Sequence, residues 1–196
     1  MARSKFDEFC RAAFEFLDGA NVRSLVVGGL AVVAIGEPRT TADADAVVFL
    51  TPEAAKKLLQ RAKEKGFEFE LPMELERIET TGTMRMRRGR FHLDLILASL
   101  PFEEEAYRRS IRKKLFGRFV RFPTPEDLIL FKVLAGREKD LLDAEGVVRR
   151  HERTLDCEYL ERTLRPICDL AEDMTPWSRL QKVLKGRSRS QGPESS

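Results

Sequence analysis

The chain has 196 residues, 42% hydrophobic and 34% charged, with a net charge of +3: enough for one good core, or a main domain with a small appendage, in a soluble globular protein. No apolar run approaches the ~20 residues that span a bilayer, and the opening MARSKFDEFC mixes charges with aromatics. That sets aside a membrane protein and a secretory leader and makes the cytoplasm the expected compartment.

In chain order, Phe6, Phe9, Cys10, Ala13, Phe14 and Leu17 recur at helical spacing, and Gly19 follows where a C-terminal cap would sit. Ser24 to Val27 is a short apolar strand ended by Gly28-Gly29, and Leu30 to Ile35 reads as a short helix ended by Gly36. A β-rich stretch covers 40–50. Thr51-Pro52 then starts a helix with Ala54, Ala55, Leu58, Leu59 and Ala62 inside and Gly66 at its end, with strands expected on both sides. TGTMRMRRGRFHLDLILA predicts a hairpin turning near Arg88-Gly89, and GRFVRF at 117–122 one more strand. From Thr124-Pro125-Glu126-Asp127 onward the pattern is helical, and GRSRSQGPESS at the end has no apolar residue, which predicts disorder.

Cys10, Cys157 and Cys168 fall on apolar helical positions and predict neither a disulfide nor a zinc site. His92 and His151 are too few and too separated for a histidine metal cluster. Charge is uneven. Between Ala106 and Pro125 stand Arg108, Arg109, Arg112, Lys113, Lys114, Arg118 and Arg121 with no acid. Such a stretch suits a polyanionic partner, or is a solvated basic helix and strand.

The chemistry lies in three acids. Asp43 and Asp45 sit two apart in an apolar strand, so their side chains share a face at a Cα separation of ~6.6 Å. Two anions that close repel, and burial penalises both, so a positive charge should compensate them. A pair of magnesium ions does so if a third oxygen ligand arrives from a neighbouring strand, and Asp94, the only acid in RFHLDLILA, supplies one. Gly28-Gly29, between a strand and a helix, allows backbone N–H groups to approach a phosphate.

Gly28-Gly29, PRTTADAD at 38–45 and the isolated Asp94 resemble the nucleotidyltransferase superfamily of the DNA polymerase β type. PEDLILFKVLAGREKDLLD is similar to the helical motifs of its minimal and AbiEii-like members. Ala44 and Ala46 depart from the larger aliphatic residues usual there. The resemblance implies an α+β fold: a mixed sheet flanked by helices over 1–122, a helical segment over 123–184 closing one side of a cleft, and a disordered tail over 185–196. It implies Asp43, Asp45 and Asp94 as catalytic and metal ligands, with two Mg2+ (or Mn2+) ions and an NTP such as ATP as substrate. One metal would activate an acceptor hydroxyl held by Asp94 while the other bridges the phosphates. Nucleotide binding would fall to Gly28, Gly29, Arg39, Thr40, Lys132, Arg137 and Asp140.

Each has an ordinary alternative. Asp43 and Asp45 also suit a solvent-facing edge strand, and Asp94 the polar face of the hairpin. Lys132 can lay its stem along apolar surface with its amine in water. Arg39 can brace the loop after Pro38, and Thr40 can be an ordinary strand residue. Arg137, Lys139, Asp140 and Asp143 can be charge pairs on an exposed helix face. His92 reads as a partly buried sheet residue. Arg85 and Arg87 share a face that could hold a nucleic-acid backbone.

The function expected is transfer of an NMP from an NTP to an acceptor hydroxyl on RNA or tRNA, a protein or a small molecule, in the setting of a toxin–antitoxin pair with an antitoxin partner, and without a membrane partner. The alternatives are a nucleotidyltransferase-like module that binds nucleotide or protein without turnover, and a plain RNA-binding protein.

Overall fold

Ser4 opens the first helix, α1 (Lys5–Gly19), its hydroxyl accepting the Asp7 amide N–H at 3.1 Å. This computed structural model describes residues 4–37 and 40–185, so Arg39 and the tail beyond Lys185 lie outside the described residues. The chain leaves α1 through Ala20 and reverses at Asn21 (φ 56), one of the few residue types at ease in that region; Gly19 stays within the helix.

The central sheet is built from β1 (Ser24–Val27), β2 (Asp43–Val48), β3 (Thr83–Arg88) and β4 (Phe91–Leu97), in the order β1-β2-β4-β3. β2 runs antiparallel to β1 and parallel to β4, while β3 and β4 form the predicted hairpin. Strand alternation puts Val26, Ala44, Ala46, Val48, Leu93, Leu95, Met84 and Met86 on one face, each 1% exposed or less. α1 packs against β4, where Phe6, Phe9 and Phe91 stack with centroids 5.4 to 6.2 Å apart.

Two helices and two strands depart from the sequence expectation. After α3 (Pro52–Glu64) the expected strand is reduced to a single bridge, Glu68 with Arg87, followed by α4 (Leu71–Thr81). Pro72 suits the first turn of a helix, and Glu74 and Ile78, one turn apart, are both buried. The Glu74 carboxylate accepts the Arg85 backbone N–H at 2.6 Å, which ties α4 to the sheet edge. Further on, α5 (Pro101–Arg109) is started by Pro101 and by Glu103, whose carboxylate accepts the N–H groups of Ser99 and Leu100 at 2.6 and 2.7 Å. The basic stretch then forms not one strand but a two-stranded ribbon, β5 (Ile111–Leu115) with β6 (Arg118–Phe122), turned by Phe116 (φ 48) and Gly117 (φ 86).

The chain divides into two compact units, Met1–Leu30 with Thr40–Pro123, and Ala31–Arg39 with Thr124–Ser196. The first holds the sheet and the ribbon. The second holds most of α2 (Gly28–Ile35) with α6 (Pro125–Ala135), α7 (Glu138–His151), α8 (Cys157–Ala171) and α9 (Thr175–Lys185). α6 is apolar on most sides, with Leu128, Ile129, Leu130 and Val133 fully buried, because α7, α8 and α9 all pack on it. Its N-terminus is closed by Thr124, which accepts the Asp127 N–H at 3.3 Å, and by Tyr159, whose hydroxyl donates to Asp127 Oδ1 at 2.6 Å. Among the described residues no helix is long and apolar enough to cross a membrane.

Candidate active site

Register brings the acids together. Asp45 on β2 pairs with Val27 on β1 and, across the parallel ladder, with Asp94 on β4; Asp43 pairs with His92, and Asp94 with Arg85 on β3. Paired residues project to the same side, so Asp43, Asp45, His92, Asp94, Arg85 and Arg87 share the face opposite the apolar core. Asp43 is exposed, Asp45 and Asp94 are half-buried, and Asp43 Oδ1 lies 3.4 Å from His92 Nδ1.

Gly28 makes room for Asp45. It begins α2 at the end of β1 with φ +63, and a Cβ built on it would stand 2.0 Å from Asp45 Oδ2 and 2.8 Å from Asp45 Cβ. No side chain fits there, and the conformation itself favours glycine. Gly29, next in the first turn of α2, is buried. The early N–H groups of a helix have no partner four residues back, which makes the start of α2 a potential donor to an anion.

Sequence reasoning missed Arg85 as a site residue. Its guanidinium grips Asp94 with both arms, Nε to Oδ1 at 2.6 Å and Nη2 to Oδ2 at 2.7 Å. The bonds to Asp94 raise its pKa above the ordinary arginine value despite some desolvation, and the charges of Asp43 and Asp45 add to the effect. The signal was in the hairpin: a turn at Gly89-Arg90 pairs Arg88 with Phe91 and therefore Arg85 with Asp94. Arg87 is likewise held by an acid, Glu68, at 2.8 Å. The two arginines read as a nucleic-acid contact are thus engaged by carboxylates of their own unit.

The family resemblance implies divalent cations, and the residues present fit them in kind. Carboxylates are the hard oxygen donors that magnesium takes, two of them share one face of β2, and the third is in register beside them. As the side chains stand, however, no three His, Cys, Asp or Glu among the described residues are gathered to hold a metal ion, and both Asp94 oxygens belong to Arg85. Asp43 and Asp45 are the residues that could hold a cation, and Asp94 could join them only on release from Arg85.

The expected nucleotide contacts in the helical unit have partners there. Lys132 on α6 is 4% exposed, and its amine donates to Asp140 Oδ1 and Asp143 Oδ2 of α7, each at 2.8 Å. The amine is thus engaged by two carboxylates of α7, where the sequence also allowed it to point to water. Arg137, the residue before α7, donates through Nε to the other Asp140 oxygen at 2.5 Å. Burial alone would push the Asp140 pKa up, but the bonds from Arg137 and Lys132 outweigh it and hold the carboxyl below its usual range. Lys132, Asp140 and Asp143 are therefore a buried ion-pair network with the exposed Arg137 at its edge, not the charge pairs on an exposed helix face that the sequence allowed. Thr40 lies in the coil before β2, exposed; Arg39 lies outside the described residues.

No family model matches the sequence, and no curated protein matches it. Solved structures do. An antigenic nucleotidyltransferase-like protein from Paracoccidioides brasiliensis is 16% identical, with 91% of this chain and 93% of that one covered and a TM-score of 0.50. The lincosamide antibiotic adenylyltransferase LnuA, lincomycin-bound, is 16% identical over 74% of this chain and 96% of its own, with a TM-score of 0.50. ANT(2")-Ia in complex with adenylyl-2"-tobramycin is 16% identical over 82% and 95%, with a TM-score of 0.55. At this identity the likeness speaks for architecture. The chain carries the α+β, nucleotidyltransferase-like fold, a four-stranded mixed sheet flanked by helices.

Proposed function

We propose that the chain is a nucleotidyltransferase that moves an NMP from an NTP to an acceptor hydroxyl. One observation carries this reading: Asp45 and Asp94 lie directly side by side on parallel strands, with Asp43 on the same face and the glycine-led start of α2 against Asp45. Surface acids of an edge strand need no such register, and β2 is an interior strand of the sheet.

Divalent cations held by Asp43 and Asp45 would neutralise the triphosphate and lower the pKa of the attacking hydroxyl. Asp43 and Asp45 would hold the cations to which the charged end of the nucleotide binds, and the start of α2 would offer backbone N–H donors to its phosphates. Asp94, once released, holds the acceptor hydroxyl and takes its proton. The acceptor oxygen bonds to the α-phosphorus, the bond from that phosphorus to the bridging oxygen breaks, and pyrophosphate leaves. No protein nucleophile is needed.

The test is incubation of the purified protein with each α-labelled NTP and Mg2+, separately with total RNA, a protein extract and small hydroxylated amines. Label should enter one fraction, with pyrophosphate released, and Asp43→Ala/Asp45→Ala should abolish both. The RNA, protein and small-molecule arms identify the acceptor. A toxin–antitoxin role, to which the AbiEii-like motifs point, predicts growth arrest on expression that the same double variant relieves. Absence of label and pyrophosphate in every arm would sink the enzyme reading.

A second reading has its own support. The Arg85 grip on Asp94 is what a module that binds without turnover would keep. It predicts nucleotide binding by calorimetry with no pyrophosphate release.

A further inference from the structure

We propose that the outward face of the β5–β6 ribbon is a binding surface for single-stranded RNA. The ladder pairs Arg112 with Arg121 and Lys114 with Phe119, so these four side chains project to the same side. The opposite side is the inner one: Val120 and Phe122 are buried there, and Arg118 is tied to Asp18 at 2.8 Å.

On the outward face cations and rings alternate. Arg23 and Arg121 stand 4.5 and 4.8 Å from the centroid of the Tyr107 ring, and Arg112 stands 5.5 Å from that of Phe119. Glu104 is paired with Arg23, and Arg121 donates to the Ser110 hydroxyl, but neither Arg112 nor Lys114 has a carboxylate partner among the described residues. Phe119 is 60% exposed in the middle of this basic face. Lysines and arginines on a free edge strand serve to block sheet-to-sheet pairing, yet that purpose gives no reason for an exposed phenylalanine among them.

Beside Tyr107, Arg112 and Phe119 lies a cavity of about 300 Å³ that also reaches Val120 and Asp18 of the inner side and includes Ser24. The combination selects its ligand. Cations spaced along a ribbon track phosphates, an exposed ring stacks on an unpaired base, and a duplex offers no unstacked base to Phe119. An acidic peptide would use the charges and leave the ring idle. Ser24 at the cavity supplies a hydroxyl that a ribose 2′-hydroxyl, both donor and acceptor, can use, while Asp18 there is held by Arg118.

The measurement is fluorescence anisotropy of a labelled twelve-residue oligouridylate with the full chain, in EDTA, so that the outcome does not depend on the acids of β2. Binding should weaken with salt, with a log–log slope of about −2 if Arg112, Lys114 and Arg121 each neutralise one phosphate. Phe119→Ala should weaken it about tenfold, and Arg112→Ala/Lys114→Ala should bring the slope to about −0.7. Asp43→Ala/Asp45→Ala should bind as the parent does. No binding, an unchanged affinity in Phe119→Ala, or equal affinity for the corresponding DNA or for polyglutamate would overturn the proposal. Circular dichroism of the surface variants excludes misfolding as the cause of a loss.

Discussion

Arg85 and Asp94, directly opposite each other on β3 and β4, share two hydrogen bonds of 2.6 and 2.7 Å, so the carboxylate best placed to complete a metal site is already neutralised by a guanidinium. A cation arriving at Asp43 and Asp45 must compete with that charge. Removing it, in Arg85→Gln, frees Asp94 and removes a repulsion of about 1 kcal/mol for a dication ~5 Å away in a water-like dielectric after salt screening. Mn2+ binding followed by electron paramagnetic resonance without nucleotide should therefore tighten about fivefold. Asp94→Asn should not show the gain when combined with Arg85→Gln. An equal or weaker Mn2+ affinity in Arg85→Gln would mean that Asp94 is not a ligand.

Gly28→Ala should damage the same site from the other side. Its φ of +63 costs a non-glycine residue about 1 kcal/mol, and the new methyl would fall 2.0 Å from Asp45 Oδ2, forcing that side chain away. Urea unfolding should show a loss of roughly 2 to 3 kcal/mol. In an Asp45→Ala background the same substitution should cost less, because only the 2.8 Å approach to Cβ remains. Equal costs in the two backgrounds would show that Asp45 does not press on Gly28.

Much of this site was legible because strand alternation and a glycine pair are local signals. Asp43 and Asp45 sharing a face follows from their spacing alone, and the hairpin carrying Asp94 follows from alternation about Gly89. What was not legible depends on pairing across the sheet. The pressing of Asp45 on Gly28 arises from register between β1 and β2, which no single segment encodes, whereas the grip of Arg85 on Asp94 follows only once the exact turn of the hairpin is fixed. α4 was missed because only Glu74 and Ile78 of its eleven residues are buried, and a buried glutamate disguises the apolar stripe. Burial of Asp140 was hidden for the same reason: charge three residues from charge reads as a wet helix face until α6 delivers Lys132 to it.

Lys132 is the anchor of that network, and its removal should appear first in stability. Lys132→Met leaves Asp140 with Arg137 alone and Asp143 without the amine, in a site where Asp140 is fully buried. Breaking a buried pair of this kind costs about 3 to 5 kcal/mol. Thermal unfolding should show it, whether or not nucleotide is present. A normal melting temperature with a raised KM for NTP would instead assign the amine to the triphosphate.

The same network sets a pH dependence. The Asp140 carboxyl, held below its usual range by Arg137 and Lys132 against the opposing effect of burial, is ionised in the folded chain at pH values where the unfolded chain already takes up its proton. Its contribution to stability is therefore complete above the unfolded value of about 3.9 and is lost as pH falls through the lower, folded value. Urea midpoints measured from pH 6 down to pH 3 should fall for the parent chain. Asp140→Asn should start from a lower midpoint, having lost the pair, and should fall less over the same interval because the titrating group is gone. Parallel curves for the two proteins would place the acid sensitivity on other carboxylates.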